Sequence, residues 1–559
     1  MRQCRIGKPE AWVEAALFCN LLPAGRAGAM ANRQDEGEQA DHGADKLSPP
    51  GGGTFIVYKR RWTVLATFCL LNLANALTWV TYSPISDLSE AYFSASTTQI
   101  NTLAVVFLVV FPFGAVVEVV LMKRYGLSRT LLVGAVLTAM GALLRYIVAA
   151  LHEASPLPSS VLYGVTLLGQ LLATIAQPLF VNVPAHLSSS WFPTHERDLS
   201  TTLGAMFSPI GNAVGQLLPV LLVSQSGGAG TPVSGMPALT LAEFVICAAS
   251  AALSHWLVTD APPTPPSASA SASASAVAQG TAHSHSSSSS SSGGAPPPLG
   301  RVLQTLWLET KALATDRDYR VLWVTFSLAL GVFNAVLTLV NQLVQPWGYS
   351  NDDAGICGIA LIIVGLLGAG AVSVLLEKTK AYRETIKYGY LCAFAAMVLM
   401  CCMLRPNNLG GLVFSFALLG FFLLPMLPAS YEACSEFTYG LAPADMSVGL
   451  LLVGGNVAGI PLTYVLGDLA TRRAWGPPPW TPSNCFMVVV VGAASALLFL
   501  LKGEYKRQQA EGSAAGAGGG GGGGGDGGGG DGSGRDSGEA GKDSPSGSLL
   551  GEPLLMINI

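Results

Sequence analysis

The sequence predicts an all-α membrane protein: twelve transmembrane helices arranged as two six-helix halves. Three observations carry that reading. Only 11% of the 559 residues are charged and half are hydrophobic, whereas soluble domains carry about 25% charge. Twelve apolar stretches have the length, about 20 residues, that crosses roughly 30 Å of hydrocarbon. Between the sixth and the seventh runs "PPTPPSASASASASA" and then "HSHSSSSSSS", which can build no core and reads as a disordered connection.

The expected organisation is a disordered tail over 1–61, a first half over 62–258, a low-complexity linker over 259–319, a second half over 320–502 and a Gly-rich disordered tail over 503–559. In the first tail the apolar run is short and broken by Cys19-Asn20 and Pro23, which does not fit a signal peptide. Met30 is an alternative start. The spans are expected at 62–84, 98–121, 127–150, 159–184, 199–224, 237–258, 320–345, 354–376, 385–404, 410–431, 446–468 and 484–502. Deleting 266–293 is expected to leave membrane abundance unchanged, measured by surface labelling, because that stretch can bury nothing.

The first span carries polar and aromatic residues at Asn72, Asn75, Trp79, Tyr82 and Ser86, steps of 3, 4, 3 and 4 that place all five on one helix face. The turn after the second span, "FGAVVEVVLMKRYGLSR", sets Glu118 beside Lys123 and Arg124. Its counterpart after the eighth, "GAGAVSVLLEKTKAYRE", sets Glu377 beside Lys378 and Lys380. The fourth span has Thr166, Gln170, Thr174 and Gln177 on one side. The seventh repeats the pattern of the first with Asn334, Thr338, Asn341 and Gln345, and the eleventh adds Asn456 and Thr463. Amides are costly in lipid and need partners or water. Such stripes fit either helix packing or a shared aqueous cavity, and their repetition in both halves favours the cavity.

Charges near the middle of the spans are absent. Arg145 and Glu243 are expected a few residues inside the external ends, where long side chains snorkel. That pattern favours facilitated movement over proton coupling. The histidines near spans, His152, His186, His195 and His255, sit at helix ends with no acid at a triad-like spacing, so no catalytic residue is expected. No cofactor and no metal are called for. The cysteines read as small buried hydrophobes. A net charge of −4 gives no reason to expect nucleic acid.

Short-loop Lys and Arg fall on one side: Lys59, Arg60 and Arg61; Lys123, Arg124 and Arg129; Lys378, Lys380, Arg383 and Lys387; Lys502, Lys506 and Arg507. The other side shows Arg405, Arg472 and Arg473. By the positive-inside rule both termini are cytoplasmic.

The paired loop motifs resemble those of the major facilitator superfamily. The stretches "NALTWVTYSPISD", "IAQPLFVNVPAHLSSSWFP", "LVNQLV" and "YEACSEFTYGLAPADMSVGLL" resemble solute carrier family 49, the feline leukaemia virus subgroup C receptor-related branch of that superfamily. The resemblance implies the twelve-helix fold with alternating access, and for the better-known relatives uptake of choline and ethanolamine, with haem export as an earlier proposal. It implies a cation enclosed by a Trp of the first span, a Tyr of the seventh and Gln residues of the fourth and eleventh. Carried over, the Trp is Trp79 and the fourth-span Gln is Gln170, with Gln177 as the alternative. Asn334 stands where the Tyr would be and Asn456 where the other Gln would be. Asn75 and Asn341 complete the candidate set.

The expected function is therefore facilitative transport of a small polar or cationic organic solute by a monomer in the lipid bilayer, in the plasma membrane rather than an internal one. Export of haem or another organic anion, and a receptor or scaffold that transports nothing, are the alternatives.

Overall fold

A computed structural model of the chain describes residues 44–47, 55–193, 196–225, 232–264, 299–471 and 481–506. Among them are twelve helices long and apolar enough to cross a membrane. They are Arg60–Trp79, Thr97–Met122, Arg124–Ala154, Ser159–Val181, Leu199–Leu222 and Met236–Leu257 in the first half. Arg317–Thr338, Asn351–Leu376, Tyr382–Met403, Leu409–Phe437, Met446–Ala470 and Pro482–Leu500 form the second. The chain is an integral multi-pass membrane protein. We call the side on which the first and seventh spans begin the terminal side, and the other the far side.

The expected low-complexity sequence lies largely outside the described residues, including His283 and His285. Two parts of the expected tail and linker are ordered. Ala44–Leu47 pairs antiparallel with Phe55–Tyr58, and Leu299–Thr315 forms a helix leading into the seventh span. Its helix formers (Leu, Gln, Glu, Lys and Ala) separate it from the Ser and Pro tracts before it.

Within each half the helices approach through glycine, since apolar faces gain nothing from leaving lipid and close backbone contact must supply the attraction. A Cβ on Gly211 or Gly215 of the fifth span would lie 2.4 Å from the carbonyl oxygens of Leu73 and Leu77 in the first. Gly454 and Gly455 of the eleventh lie against Trp323, Ser327 and Leu330 of the seventh. So the first and fifth spans and the seventh and eleventh are matched pairs. The tightest approach joins the eighth and tenth spans, where a Cβ on Gly420 would fall 1.8 Å from the Leu361 oxygen. Backbone cannot yield as a side chain can, so Gly420→Val is expected to cost more than the roughly 1–3 kcal/mol of ordinary overpacking. The check is the melting temperature and yield of detergent-purified protein.

The first, fourth, seventh and tenth spans are interrupted, and the interruptions match between halves. The first span stops at Trp79 with Val80 as its C-cap, and a separate helix begins at Ser86. The seventh stops at Thr338 and resumes as Val340–Val344. The fourth breaks at Gln177-Pro178 and the tenth at Leu424-Pro425. The prolines at 84, 178 and 425 remove an amide donor and disfavour helix in the residue before them. The five-residue stripe expected on one continuous first helix is therefore divided. Asn72, Asn75 and Trp79 lie on the span, Tyr82 on the turn and Ser86 on the next helix. Likewise Asn341 and Gln345 lie beyond the end of the seventh span.

Between the halves, the second span packs against the eleventh and the fifth against the eighth.

Candidate functional site at the broken ends of the first and seventh spans

The interruption after Trp79 places a cleft between the halves. Trp79, Tyr82, Ser83 and Ser86 line it from the first-span end, Ile100, Asn101 and Ala104 from the second span, and Thr338 from the end of the seventh. The Trp79 indole N–H donates to the Ala104 carbonyl at 3.1 Å, fixing the ring against the second span. The Thr338 hydroxyl is buried with no hydrogen-bond partner. The cleft holds about 10 Å³, close to one water molecule. That is too small for an organic solute.

On the far side of the cleft a set of hydrogen bonds joins the halves. The Ser86 hydroxyl donates to Asn341 Oδ1 at 3.1 Å, and Asn341 Nδ2 donates to the Pro84 carbonyl at 2.9 Å and to Asn351 Oδ1. Asn101 and Gln342 exchange both amide bonds, at 3.2 and 2.6 Å. The Thr102 and Tyr464 hydroxyls meet at 3.0 Å, and Gln216 Nε2 donates to the Leu337 carbonyl at 3.1 Å. Except for Asn341–Asn351, each of these joins one half to the other. They are neutral and directional, about 0.5–1.5 kcal/mol each net of water. Together they can hold a closed state and still be exchanged for water.

Of the residues expected at a substrate site, the structure brings only Trp79 into this cleft. Asn334 sits one turn before Thr338, buried near Gly459. Asn341 is part of the far-side closure. Asn75 is turned inward within its own half, donating to Thr138 at 3.1 Å and to the Ala173 carbonyl at 2.8 Å. Asn72 does the same to Gly204 at 2.9 Å. For these two the packing reading holds. Asn456 donates to the Leu452 carbonyl of its own helix at 2.8 Å. Gln170 is fully engaged behind Trp79, donating at 3.2 Å to both the Thr78 and Leu103 carbonyls. Gln177, at the break in the fourth span, keeps a buried side-chain oxygen with no hydrogen-bond partner.

Two features escaped the sequence reading. Arg145 and Glu243 do not snorkel. Each is only 1% exposed, and they form an ion pair at 2.7 Å. Removing one partner of such a pair costs about 3–5 kcal/mol. The terminal side carries two ties that the sequence did not predict. Arg61, at the start of the first span, makes a two-pronged bridge to Glu196 at 2.8 and 3.1 Å. Asp260, after the sixth span, accepts from the Ser128 amide at 2.7 Å beside Gly126, whose φ of 80° breaks the helix there. Of the loop-motif residues, Glu118 is buried, Arg124 lies over Tyr125 at 5.7 Å, and Lys378 and Lys380 are exposed. The side chains of Lys123 and Glu377 lie outside the described residues.

The comparisons with known proteins agree with this architecture. The sequence profile described as Major Facilitator Superfamily matches residues 68–442. The chain is 28% identical over 476 residues to solute carrier family 49 member A3 of Xenopus tropicalis, covering 82% of this chain and 90% of that one. It is 28% identical to the choline/ethanolamine transporter FLVCR1 of Mus musculus, covering 84% and 80%. The resemblance to solute carrier family 49 is thereby borne out. Among solved structures, a D-xylose-proton symporter superposes with a TM-score of 0.57 at 15% identity, covering 80% of this chain and 98% of that one. That likeness shows the fold.

Proposed function

The chain belongs to the major facilitator superfamily, and we propose that it moves a small polar or cationic organic solute, choline- or ethanolamine-like, by alternating access through the Trp79 cleft. Membrane transport is the activity class that the family and the fold support. The observation that carries the finer reading is the cleft itself. Two aromatic side chains, Trp79 and Tyr82, and a set of neutral hydroxyl and amide groups meet at the junction of the halves, where matched helix breaks occur. Discontinuous helices at a repeat interface are a common way to build a transporter site. A Trp face attracts a desolvated quaternary ammonium by about 1–2 kcal/mol, and the hydroxyls suit the alcohol or amine of the same solute. An organic anion would want an unpaired cation, and Arg145, buried beside the cleft, is paired with Glu243.

In this reading the far-side hydrogen bonds are the closed outer gate, the terminal side is cytoplasmic, and the protein works as a monomer in the plasma membrane. Orientation is tested by tagging both ends. Neither tag is expected to stain in intact cells, and both should stain after permeabilisation.

Transport is expected to follow the solute gradient, because the buried carboxylate near the cleft is committed to an arginine. With the membrane potential clamped, a protonophore should change initial uptake less than about twofold. The clamp is needed because potential alone drives a cation at about 2.3 kcal/mol per 100 mV. Collapse of uptake under the clamp would contradict a facilitative mechanism.

The experiment that tests the transport reading is an untargeted comparison of metabolites in cells with and without the protein. Labelled uptake of choline and ethanolamine should follow. Accumulation of either is the expected result, and a profile that moves neither would reject this solute class.

A further inference from the structure

We propose that Arg145 and Glu243 form an electroneutral clamp that positions the Trp79 wall and sets the charge preference of the cleft, which accepts a cation because Glu243 cancels Arg145. This rests on reading the cleft as the solute site.

A buried ion pair inside a membrane span is expensive, and a helix that only had to cross lipid would not carry it. The pair stands at the point where the first span ends. A helix terminus leaves its last carbonyls without backbone donors, and Thr78, one residue before Trp79, is among them. Its oxygen is reached by Arg145 Nη1 at 3.5 Å and by Gln170 Nε2 at 3.2 Å. Arg145 Nη1 also donates to Gln170 Oε1 at 3.1 Å. A cation at a helix C-terminus is favourable in its own right. On the other side of Trp79, the Thr81 hydroxyl donates to Glu243. The residues flanking the indole are thus held from the third and sixth spans at once. Gly169 makes room for this, since a Cβ there would meet Arg145 Cγ at 2.8 Å. The Tyr82 hydroxyl interacts with the guanidinium, and Tyr82 lines the cleft.

The second half meets the same need without charge. The seventh span also ends at the cleft, and the carbonyl of Leu337, one residue before Thr338, is capped by the neutral amide of Gln216. Capping alone therefore does not call for an arginine. What the first half adds is a pair of opposite charges against the cleft wall, in a medium that screens them weakly. With both present the field at the cleft is that of a dipole. With one removed, a full charge stands behind Trp79 and Tyr82.

The test is the ratio of affinities for choline and its uncharged isostere 3,3-dimethylbutan-1-ol, measured on the purified full chain in lipid nanodiscs at alkaline pH. Alkaline pH favours the ionised form of a Glu243 left without its arginine. Glu243→Gln should lower the choline preference by at least about tenfold, the size expected of one uncompensated charge within about 10 Å at an effective dielectric near 20. Arg145→Gln should raise the preference. The double variant Arg145→Gln/Glu243→Gln should return the ratio to near wild type, even where both affinities fall because Thr78 has lost a cap. If Glu243→Gln does not accumulate, Arg145→Gln carries the same test with the opposite sign.

An unchanged ratio in the folded single variants, or a shift of both in one direction, would overturn the clamp. A loss of thermal stability with equal loss of both ligands would show a purely structural pair and overturn it too. Failure of the site reading looks different. In that case Trp79→Ala would leave both affinities intact whatever the clamp variants do.

Discussion

Trp79→Ala is expected to abolish transport, and Trp79→Phe to retain part of it. The indole is buried, forms one wall of the cleft and is fixed by its bond to the Ala104 carbonyl. Alanine removes the π face, worth about 1–2 kcal/mol to a quaternary ammonium, or roughly 5–30-fold in affinity. It also frees the end of the first span from the second. Phenylalanine keeps a smaller face and loses the N–H anchor, so an intermediate affinity is expected. Truncating a buried Trp can itself cost about 3–5 kcal/mol in stability, so surface abundance and melting temperature must accompany the uptake assay. Normal transport by Trp79→Ala would reduce Trp79 to a packing contact between the first and second spans.

The second large effect is expected at the far-side closure. Asn341 joins Ser86 and Pro84 of one half to Asn351 of the other. Asn341→Ala removes all three bonds and leaves the Pro84 carbonyl to find water. Only the bonds to Ser86 and Pro84 cross between the halves, so at about 0.5–1.5 kcal/mol for each the closed state loses about 1–3 kcal/mol, enough to shift a two-state equilibrium by about one to two powers of ten. Ser83 lines the cleft behind this closure. In an Ser83→Cys background, Asn341→Ala should speed labelling by a membrane-impermeant thiol reagent added to intact cells by at least about tenfold. The native cysteines are controlled for with the parent lacking Ser83→Cys. Unchanged labelling would mean that the Asn341 bonds do not hold the closed state.

The twelve spans were legible because hydrophobic length is a local property, and the two halves because low-complexity sequence stands between them. The site was legible only in part. Trp79 stood out in the stripe and was assigned to the solute by resemblance, but the same spacing also drew in Asn72 and Asn75, which bond to neighbouring helices. Spacing reports a shared face and does not say whether that face meets water or protein. The breaks at Val80 and Gln177 had a signal in Pro84 and Pro178, which a period-based reading passes over. The pairing of Arg145 with Glu243 had none, because it depends on how the third and sixth spans face each other. Read singly, each looked like a residue near the end of a span. Gln170, assigned to the solute by resemblance, is in this closed state a cap on Thr78. The order in the linker at Leu299–Thr315 was hidden by the composition of the tract before it.

This chain is expected to carry a choline- or ethanolamine-like solute through a cleft walled by Trp79. Counterflow in proteoliposomes tests it most directly, because it needs no ion gradient and no other cellular component. Vesicles loaded with unlabelled choline or ethanolamine and diluted into trace labelled solute should show a transient overshoot with the wild-type protein and none with Trp79→Ala reconstituted to the same density. Absence of overshoot for both solutes with the wild-type protein, or an equal overshoot with Trp79→Ala, would contradict it.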